Sequence, residues 1–337
     1  MLTEVPRPYL LFLGDAIEPR FAKTAFGLRD WARDMCVGEL ALPAARVSTG
    51  LPRFTPQEAV ACGARSVVIG IANRGGVVTP QWVPSLLDCL RAGLDLVSGM
   101  HGRLSQHEEI RMAAERYGRR LIDVRVPPSN IPIANGAKRT GKRLLTVGTD
   151  CALGKKYTAL TLAREFRSRG VSADFRATGQ TGILIAGSGI PLDAVISDFL
   201  AGAAEILSPA AGLSHWDVVE GQGSIFHPSY SGVSLGLLHG TQPDVLVLCH
   251  EVGRERVMGL ESYTTPSLAE AIDLHLLLAS RTNPQVRCAG ISLNTSGLDD
   301  AEASEELASC AKRMNLPVAD PVRGGPELAR LVEACLA

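Results

Sequence analysis

The stretch Arg143-Leu-Leu-Thr-Val-Gly-Thr-Asp-Cys-Ala-Leu-Gly-Lys-Lys-Tyr157 decides the fold. Its apolar run, Leu144 to Val147, predicts a strand. A glycine-bearing loop follows, and Lys155 opens an amphipathic helix predicted to run to Arg169. In that order, strand, loop and helix N-terminus surround an anion with backbone N–H groups, and a lysine adds a point charge. The loop departs from the P-loop consensus twice. Gly148 stands one position early, which leaves Thr149 where the consensus has glycine, and Lys156 replaces the hydroxyl residue that should follow the lysine. That Ser or Thr normally ligates the Mg²⁺ bridging the β- and γ-phosphates. A second lysine cannot bind a cation, and it suits a diphosphate or phosphomonoester held without metal.

Working outward, the alternation of strand and helix continues on both sides. Downstream, strands are predicted at Ala173 to Arg176, Asp217 to Val219, Val245 to Cys249, Cys288 to Leu293 and Pro317 to Ala319. Helices are predicted at Leu192 to Leu207, Leu268 to Ser280, Ala301 to Met314 and Pro326 to Leu336. Upstream, Tyr9 to Leu13, Ser66 to Ile71, Leu94 to Ser98 and Leu121 to Val124 read as strands, with helices at Pro84 to Ala92 and Gln106 to Tyr117. Such alternation implies parallel sheets covered by helices. The expected architecture is α/β: a Rossmann-like domain over 1–126, a linker rich in Pro, Gly and small polar residues over 127–142, and a P-loop NTPase-like domain over 143–337. Three upstream strand ends, Gly14-Asp15, Asn73-Arg74-Gly75-Gly76 and Ser98-Gly-Met-His-Gly102, stand where open parallel sheets place ligand loops, though ordinary turns have the same composition.

Composition narrows the function. The 337 residues are 46% hydrophobic and 20% charged with a net charge of −1, so the basic footprint of a nucleic-acid binder is missing. Eight cysteines without a C-x-x-C pair read as free thiols of a reducing compartment. No apolar stretch is long enough for a membrane span and the first residues do not read as a targeting peptide, so a cytoplasmic protein is expected. A symmetric homo-oligomer is compatible with the sequence, which does not specify one.

Further motifs follow predicted strands. Thr178-Gly-Gln-Thr-Gly182 supplies small residues and backbone donors for the groove of the phosphate loop. Glu220-Gly-Gln-Gly-Ser-Ile-Phe-His227 offers a carboxylate, two glycines and a histidine in one strand-end loop. Acyl transfer to an amine needs a base and donors aimed at the developing oxyanion. Glu220 or His227 fits the first role and the N–H groups of 221–224 the second, while Glu220 could alternatively hold Mg²⁺. Asp198, on the helix predicted after the Thr178 loop, is a further catalytic candidate, and Asp193 near it equally suits the helix dipole. The cofactor-binding set is therefore Gly148, Thr149, Asp150, Cys151, Gly154, Lys155, Lys156, Tyr157, Thr178, Gly179, Gln180 and Thr181. Gln222, Ser224, Tyr230, His250, Glu251 and Arg254 form the substrate set, with Arg254 as a carboxylate partner and Arg176 as its alternate. Cys151 at a helix start could act as a nucleophile, although a phosphate would occupy its place. His215, His239 and His275 read as structural.

The glycine spacing of G-T-D-x-x-x-G-K, with Glu220-Gly-Gln-Gly-Ser224 after a strand, resembles dethiobiotin synthetase and related P-loop enzymes. A closer resemblance joins the phosphate loop to Ala177-Thr-Gly-Gln-Thr-Gly182, Glu220 to Gly232, Leu237-Leu-His-Gly240, Leu248-Cys-His-Glu251, Met100-His101 and Leu121-Ile-Asp-Val-Arg125. That set is similar to the DgcN-type D-glutamate N-acetyltransferase family over nearly the whole chain. The resemblance implies transfer of acetyl from acetyl-coenzyme A to the amino group of D-glutamate in bacterial D-amino-acid catabolism; that no metal is required is the expectation drawn from Lys156. The implied site lies between the two domains, and direct transfer in a ternary complex is the expected route. A Mg-ATP-dependent ligase and a non-catalytic nucleotide sensor are the alternative readings.

Overall fold

The computed structural model describes residues 3–71 and 76–337. In chain order its strands and helices are β1 (Thr3–Glu4), β2 (Tyr9–Gly14), α1 (Lys23–Trp31), β3 (Cys36–Ala41), α2 (Pro56–Ala61), β4 (Ser66–Ile69), α3 (Val83–Ala92), β5 (Asp95–Ser98), α4 (Glu108–Tyr117) and β6 (Leu121–Asp123). There follow β7 (Lys142–Gly148), α5 (Lys155–Ser168), β8 (Ala173–Arg176), α6 (Gln180–Ala186), β9 (Ser188–Gly189), α7 (Leu200–Leu207), β10 (Trp216–Val219), α8 (Ser231–Thr241) and β11 (Val245–Glu251). The last elements are β12 (Arg256–Val257), β13 (Leu260–Thr264), α9 (Leu268–Ala279), β14 (Arg287–Asn294), α10 (Asp300–Met314), β15 (Val318–Ala319) and α11 (Gly325–Leu336).

The chain forms two compact units, 1–128 with 179–194, and 129–178 with 195–337. The first carries a five-stranded parallel sheet in the order β3-β2-β4-β5-β6. Residues 179–194, which the sequence reading groups with the phosphate loop, are built into this unit. There the Tyr9 hydroxyl donates to Leu184 O (2.9 Å), Arg7 donates to Ile185 O, and β9 pairs antiparallel with β1. Of the upstream strand ends, one makes a long-range bond, with Asp15 accepting from the Trp82 indole N–H (2.7 Å), and one a local turn bond, with the Ser98 hydroxyl accepting from Met100 N–H (3.1 Å). Asn73, Arg74 and Gly75 of the third lie outside the described residues.

The second unit carries a six-stranded parallel sheet ordered β15-β14-β11-β7-β10-β8, with β12 and β13 forming a separate hairpin. Leu144, Leu162, Phe166, Trp216, Val218 and Val247 belong to its buried core, and the Phe166 and Trp216 rings meet edge to face at 5.4 Å. Burial on this scale is the main stabilising term, at ~25 cal/mol per Å² of apolar surface removed from water. Capping boxes start α9 (Ser267 with Glu270) and α10 (Asp299 with Glu302), as expected where a short polar side chain precedes a helix by one residue. The irregular stretch after Pro128 lies along this second unit. Arg139 donates to Ser208 O (2.8 Å) and Gly240 O (2.7 Å), and Lys138 pairs with Asp244 (2.8 Å).

Two local expectations need correction. Leu192 to Leu207 is not one helix: 3-10 turns at Leu192–Ala194 and Ser197–Phe199 precede α7. The passage from one unit to the other falls between Ala194 and Val195, within this stretch. The 178–182 segment is not wholly loop either, because α6 starts at Gln180 with Gly179 as its N-cap.

Candidate active site at the phosphate loop

β7 ends at Gly148, and the loop turns through Ala152 (φ 56°) and Gly154 (φ 106°) before α5 begins. A left-handed residue at the helix N-cap favours glycine, which carries no Cβ to clash. The Lys155 ammonium is buried and donates to the carbonyl oxygen of Asp150 (2.7 Å). Capacity remains among its three N–H groups for an anion. Burial pushes its pKa below the ordinary lysine value, against the opposing influence of Cys249, Cys151, Asp150 and Glu220. A phosphate beside it would favour the charged form again.

Asp150 is fully buried, and its two oxygens are spoken for. Oδ1 accepts from Cys151 N–H (2.7 Å), and Oδ2 accepts from Met258 N–H (2.7 Å) and faces Arg254 Nη1 at 3.5 Å. Thr149 Oγ1 shares a hydrogen bond with His250 Nδ1 (2.8 Å), and burial lowers the His250 pKa. Burial also raises the Cys151 pKa, so this thiol lacks the depressed value of an activated nucleophile. The Lys156 ammonium lies over the Tyr157 ring, 4.6 Å from its centroid.

The loop after β10 packs directly on the phosphate loop. Gly221 donates to Thr146 Oγ1 (2.9 Å), and a Cβ added to Gly221 would come within 1.8 Å of Thr146 O, so only glycine fits. Ser224 Oγ donates to Gly148 O (2.9 Å). Glu220 is buried and accepts from Thr178 N–H (3.0 Å), while the Thr178 hydroxyl donates to Glu220 O (2.7 Å) and accepts from Gln222 Nε2 (3.1 Å). Ser229 N–H donates to His227 Nδ1 (3.1 Å), which fixes the proton on Nε2, where it is donated to Met258 O (3.1 Å). The half-exposed Tyr230 ring stacks on His227 at 4.5 Å.

The structure thus brings Gly148 to Tyr157, Thr178, Glu220, Gln222, Ser224, His227, Tyr230 and His250 into one unit around one loop. Other predicted site residues have different surroundings. Gly179, Gln180 and Thr181 belong to the first unit, where Gln180 Oε1 accepts from Arg125 (2.9 Å) and Arg125 also pairs with Asp193. Asp198 is exposed in a 3-10 turn. Arg254 is paired with Glu251 and faces Asp150, and Arg176 is paired with Asp217 (2.6 Å) and Asp174 (3.1 Å), so each guanidinium already has carboxylate partners within the chain. Met258 was not anticipated, and no side-chain signal could have shown it, because its contacts are made by its backbone.

Three ligand atoms, one each from Asp150, Cys151 and His227, lie within 4.8 Å of one another. Both oxygens of Asp150 and both ring nitrogens of His227 already have protein partners. What the arrangement offers instead is a glycine-lined cradle with a buried cation at its floor, which fits a phosphate group.

Comparison with known proteins agrees with this geometry. A family model described as the DUF1611 P-loop domain matches residues 132–332, and one described as the DUF1611 Rossmann-like domain matches 37–127. The chain is 51% identical over 333 residues to a D-glutamate N-acetyltransferase of Tritonibacter scottomollicae, covering 99% of both chains. It is 45% identical to one of a Pseudoalteromonas species, covering 96% of this chain and 97% of that one. A crystal structure of a DUF1611 family protein from Anabaena variabilis is similar with a TM-score of 0.85 and 32% identity, over 98% of this chain and 99% of that chain. Matched in both halves and related along its length to D-glutamate N-acetyltransferases, the chain belongs to the DUF1611 family.

Proposed function

We propose that this protein transfers the acetyl group of acetyl-coenzyme A to the amino group of D-glutamate, within D-amino-acid catabolism in the cytoplasm. The observation that carries the reading is the buried Lys155 at the floor of a glycine-lined phosphate loop, in a chain 51% identical to a D-glutamate N-acetyltransferase. Coenzyme A carries a diphosphate that such a loop can hold. Lys156 stands where nucleotide-hydrolysing P-loops place their magnesium-ligating hydroxyl, which favours a diphosphate bound without that ion over the ligase alternative.

In the reaction, the neutral amine attacks the thioester carbonyl, the C–S bond breaks, and the amine proton ends on the departing thiol. Glu220 is the favoured proton acceptor, because the single acceptor lone pair of His227 is taken by Ser229 N–H, whereas a carboxylate has several acceptor positions beside the one that Thr178 N–H occupies. Gly221 N–H is engaged with Thr146 Oγ1 (2.9 Å), so the N–H groups of 222–224 are the ones that would face the developing oxyanion. The test is release of free thiol from acetyl-coenzyme A with D-glutamate, L-glutamate or no acceptor, with and without EDTA, beside an ATP hydrolysis control. Release that needs D-glutamate and survives EDTA is expected. Mg²⁺-dependent ATP turnover without thiol release would overturn the reading.

A further inference from the structure

On this reading the donor has a second anionic group, a 3′-phosphate on its nucleoside, which the phosphate loop does not account for. In the second unit, a cleft of about 790 Å³ includes residues at the C-terminal ends of β11 and β14 in its lining. It starts beside the phosphate loop, since lining residues His250 and Arg254 are the ones that face Thr149 (2.8 Å) and Asp150 (3.5 Å). Its size lies in the range of roughly 300–1,000 Å³ that holds nucleotide-sized ligands, and it is much larger than a five-carbon dicarboxylic acid needs.

The lining is divided in character. Leu268, Leu293 and Met314 supply apolar surface of the kind a purine packs on, and the remaining arginines lie at exposed positions. Arg254 is neutralised by Glu251 and Asp150, but Arg313 meets Glu306 only at 3.7 Å. Arg256 has no side-chain hydrogen bond or ion pair among the described residues. Glu255 and Glu306 also line the cleft, so its lining holds the three guanidiniums of Arg254, Arg256 and Arg313 against two carboxylates. Two exposed guanidiniums with weak or absent partners can turn to a dianion at little cost in broken contacts.

We infer that this cleft takes the nucleoside end of the donor, with Arg256 and Arg313 facing its 3′-phosphate, and that it selects a 3′-phosphorylated thioester over the 3′-unphosphorylated one. The inference rests on the acetyl-coenzyme A reading. Its test compares kcat/KM for acetyl-coenzyme A and acetyl-3′-dephospho-coenzyme A, with D-glutamate as acceptor, in the wild type and in the Arg256→Ala, Arg313→Ala double variant. The wild type is expected to prefer the phosphorylated donor by about tenfold or more, and the double variant to bring that ratio close to one. Arg256→Lys with Arg313→Lys, which keeps the charge, should restore part of the preference. A wild-type ratio near one, a ratio that survives the double variant, or loss of turnover with both donors would overturn the inference while leaving acetyl transfer standing. A wild type that acetylates D-glutamate from neither donor would instead overturn the proposed function, and the inference with it.

Discussion

The Asp150 carboxylate accepts the backbone N–H of Met258 at 2.7 Å, and the carbonyl of the same Met258 accepts from His227. One residue of the β12–β13 hairpin thereby joins the phosphate loop to the loop after β10. Asp150→Asn keeps the volume but turns an acceptor into a mixed group in front of three donors. We expect a stability loss of about 1–3 kcal/mol in chemical denaturation and a raised KM for the acyl donor. Unchanged stability would show that the hairpin is held by other contacts.

Gly221→Ala places a methyl group against the Thr146 carbonyl, which belongs to a central strand and cannot move aside. Overpacking of this kind costs typically about 1–3 kcal/mol, and a backbone obstacle puts it at the upper end. The thermal midpoint should fall, with loss of donor binding in the protein that still folds. Wild-type melting and binding would mean that the loop has room which this structure does not show.

Lys155→Ala and Glu220→Gln should separate binding from turnover. The first removes the buried cation of the cradle and should raise the dissociation constant for acetyl-coenzyme A by roughly tenfold or more. The second replaces a carboxylate by an isosteric amide and should lower kcat with a smaller effect on donor affinity. Calorimetric titration with the donor, beside steady-state kinetics, distinguishes the two. The opposite pattern would exchange the roles assigned to the two loops.

His275 lies buried on α9, with Nδ1 donating to Ala271 O (2.7 Å), and burial pushes its pKa down to about 4. An unfolded histidine binds its proton near pH 6.5. Between those values the unfolded chain holds more protons than the folded one, so stability falls as pH drops through that window and is fully present above it. The contribution is about 3 kcal/mol. His275→Gln should therefore lose less stability than the wild type between pH 7 and pH 4.5. An identical loss in both proteins would assign the acid sensitivity to other groups.

Much of the second unit is legible in the sequence because its strands are continuous apolar runs and its longer helices carry apolar residues at helical spacing. The helices predicted from Leu268 and from Ala301 are both present, and capping boxes at Ser267 and Asp299 set their starts. β3 escapes because Glu39 stands in the middle of it, fully buried. Burial would raise that carboxyl's pKa, but hydrogen bonds chiefly from Thr49 outweigh it and hold the group below the ordinary carboxylate range. α8 escapes because Gly232, Gly236 and Gly240 give it weak helical propensity. Two of these glycines are required by tertiary packing: a Cβ on Gly240 would meet Ala201 O at 2.2 Å, and one on Gly236 would meet the Leu200 side chain at 2.7 Å. The phosphate loop, Glu220 and His227 were readable from spacing. The bonds of Met258 and the pairing of Arg254 were not, since they depend on how distant segments meet.

The 179–194 segment has a consequence for how the chain reaches its native state. A ribosome has completed β1 to β6 long before it makes β9, Leu184 and Ile185, which the first unit needs to satisfy β1, Tyr9 and Arg7. The first unit is therefore finished only after the phosphate loop has already emerged. A gene fragment cut near residue 128 leaves Tyr9 OH and the β1 edge without their partners. The two halves matched by separate family models are in this sense one folding problem, and swapping either half between relatives should respect residues 179–194 as part of the N-terminal piece.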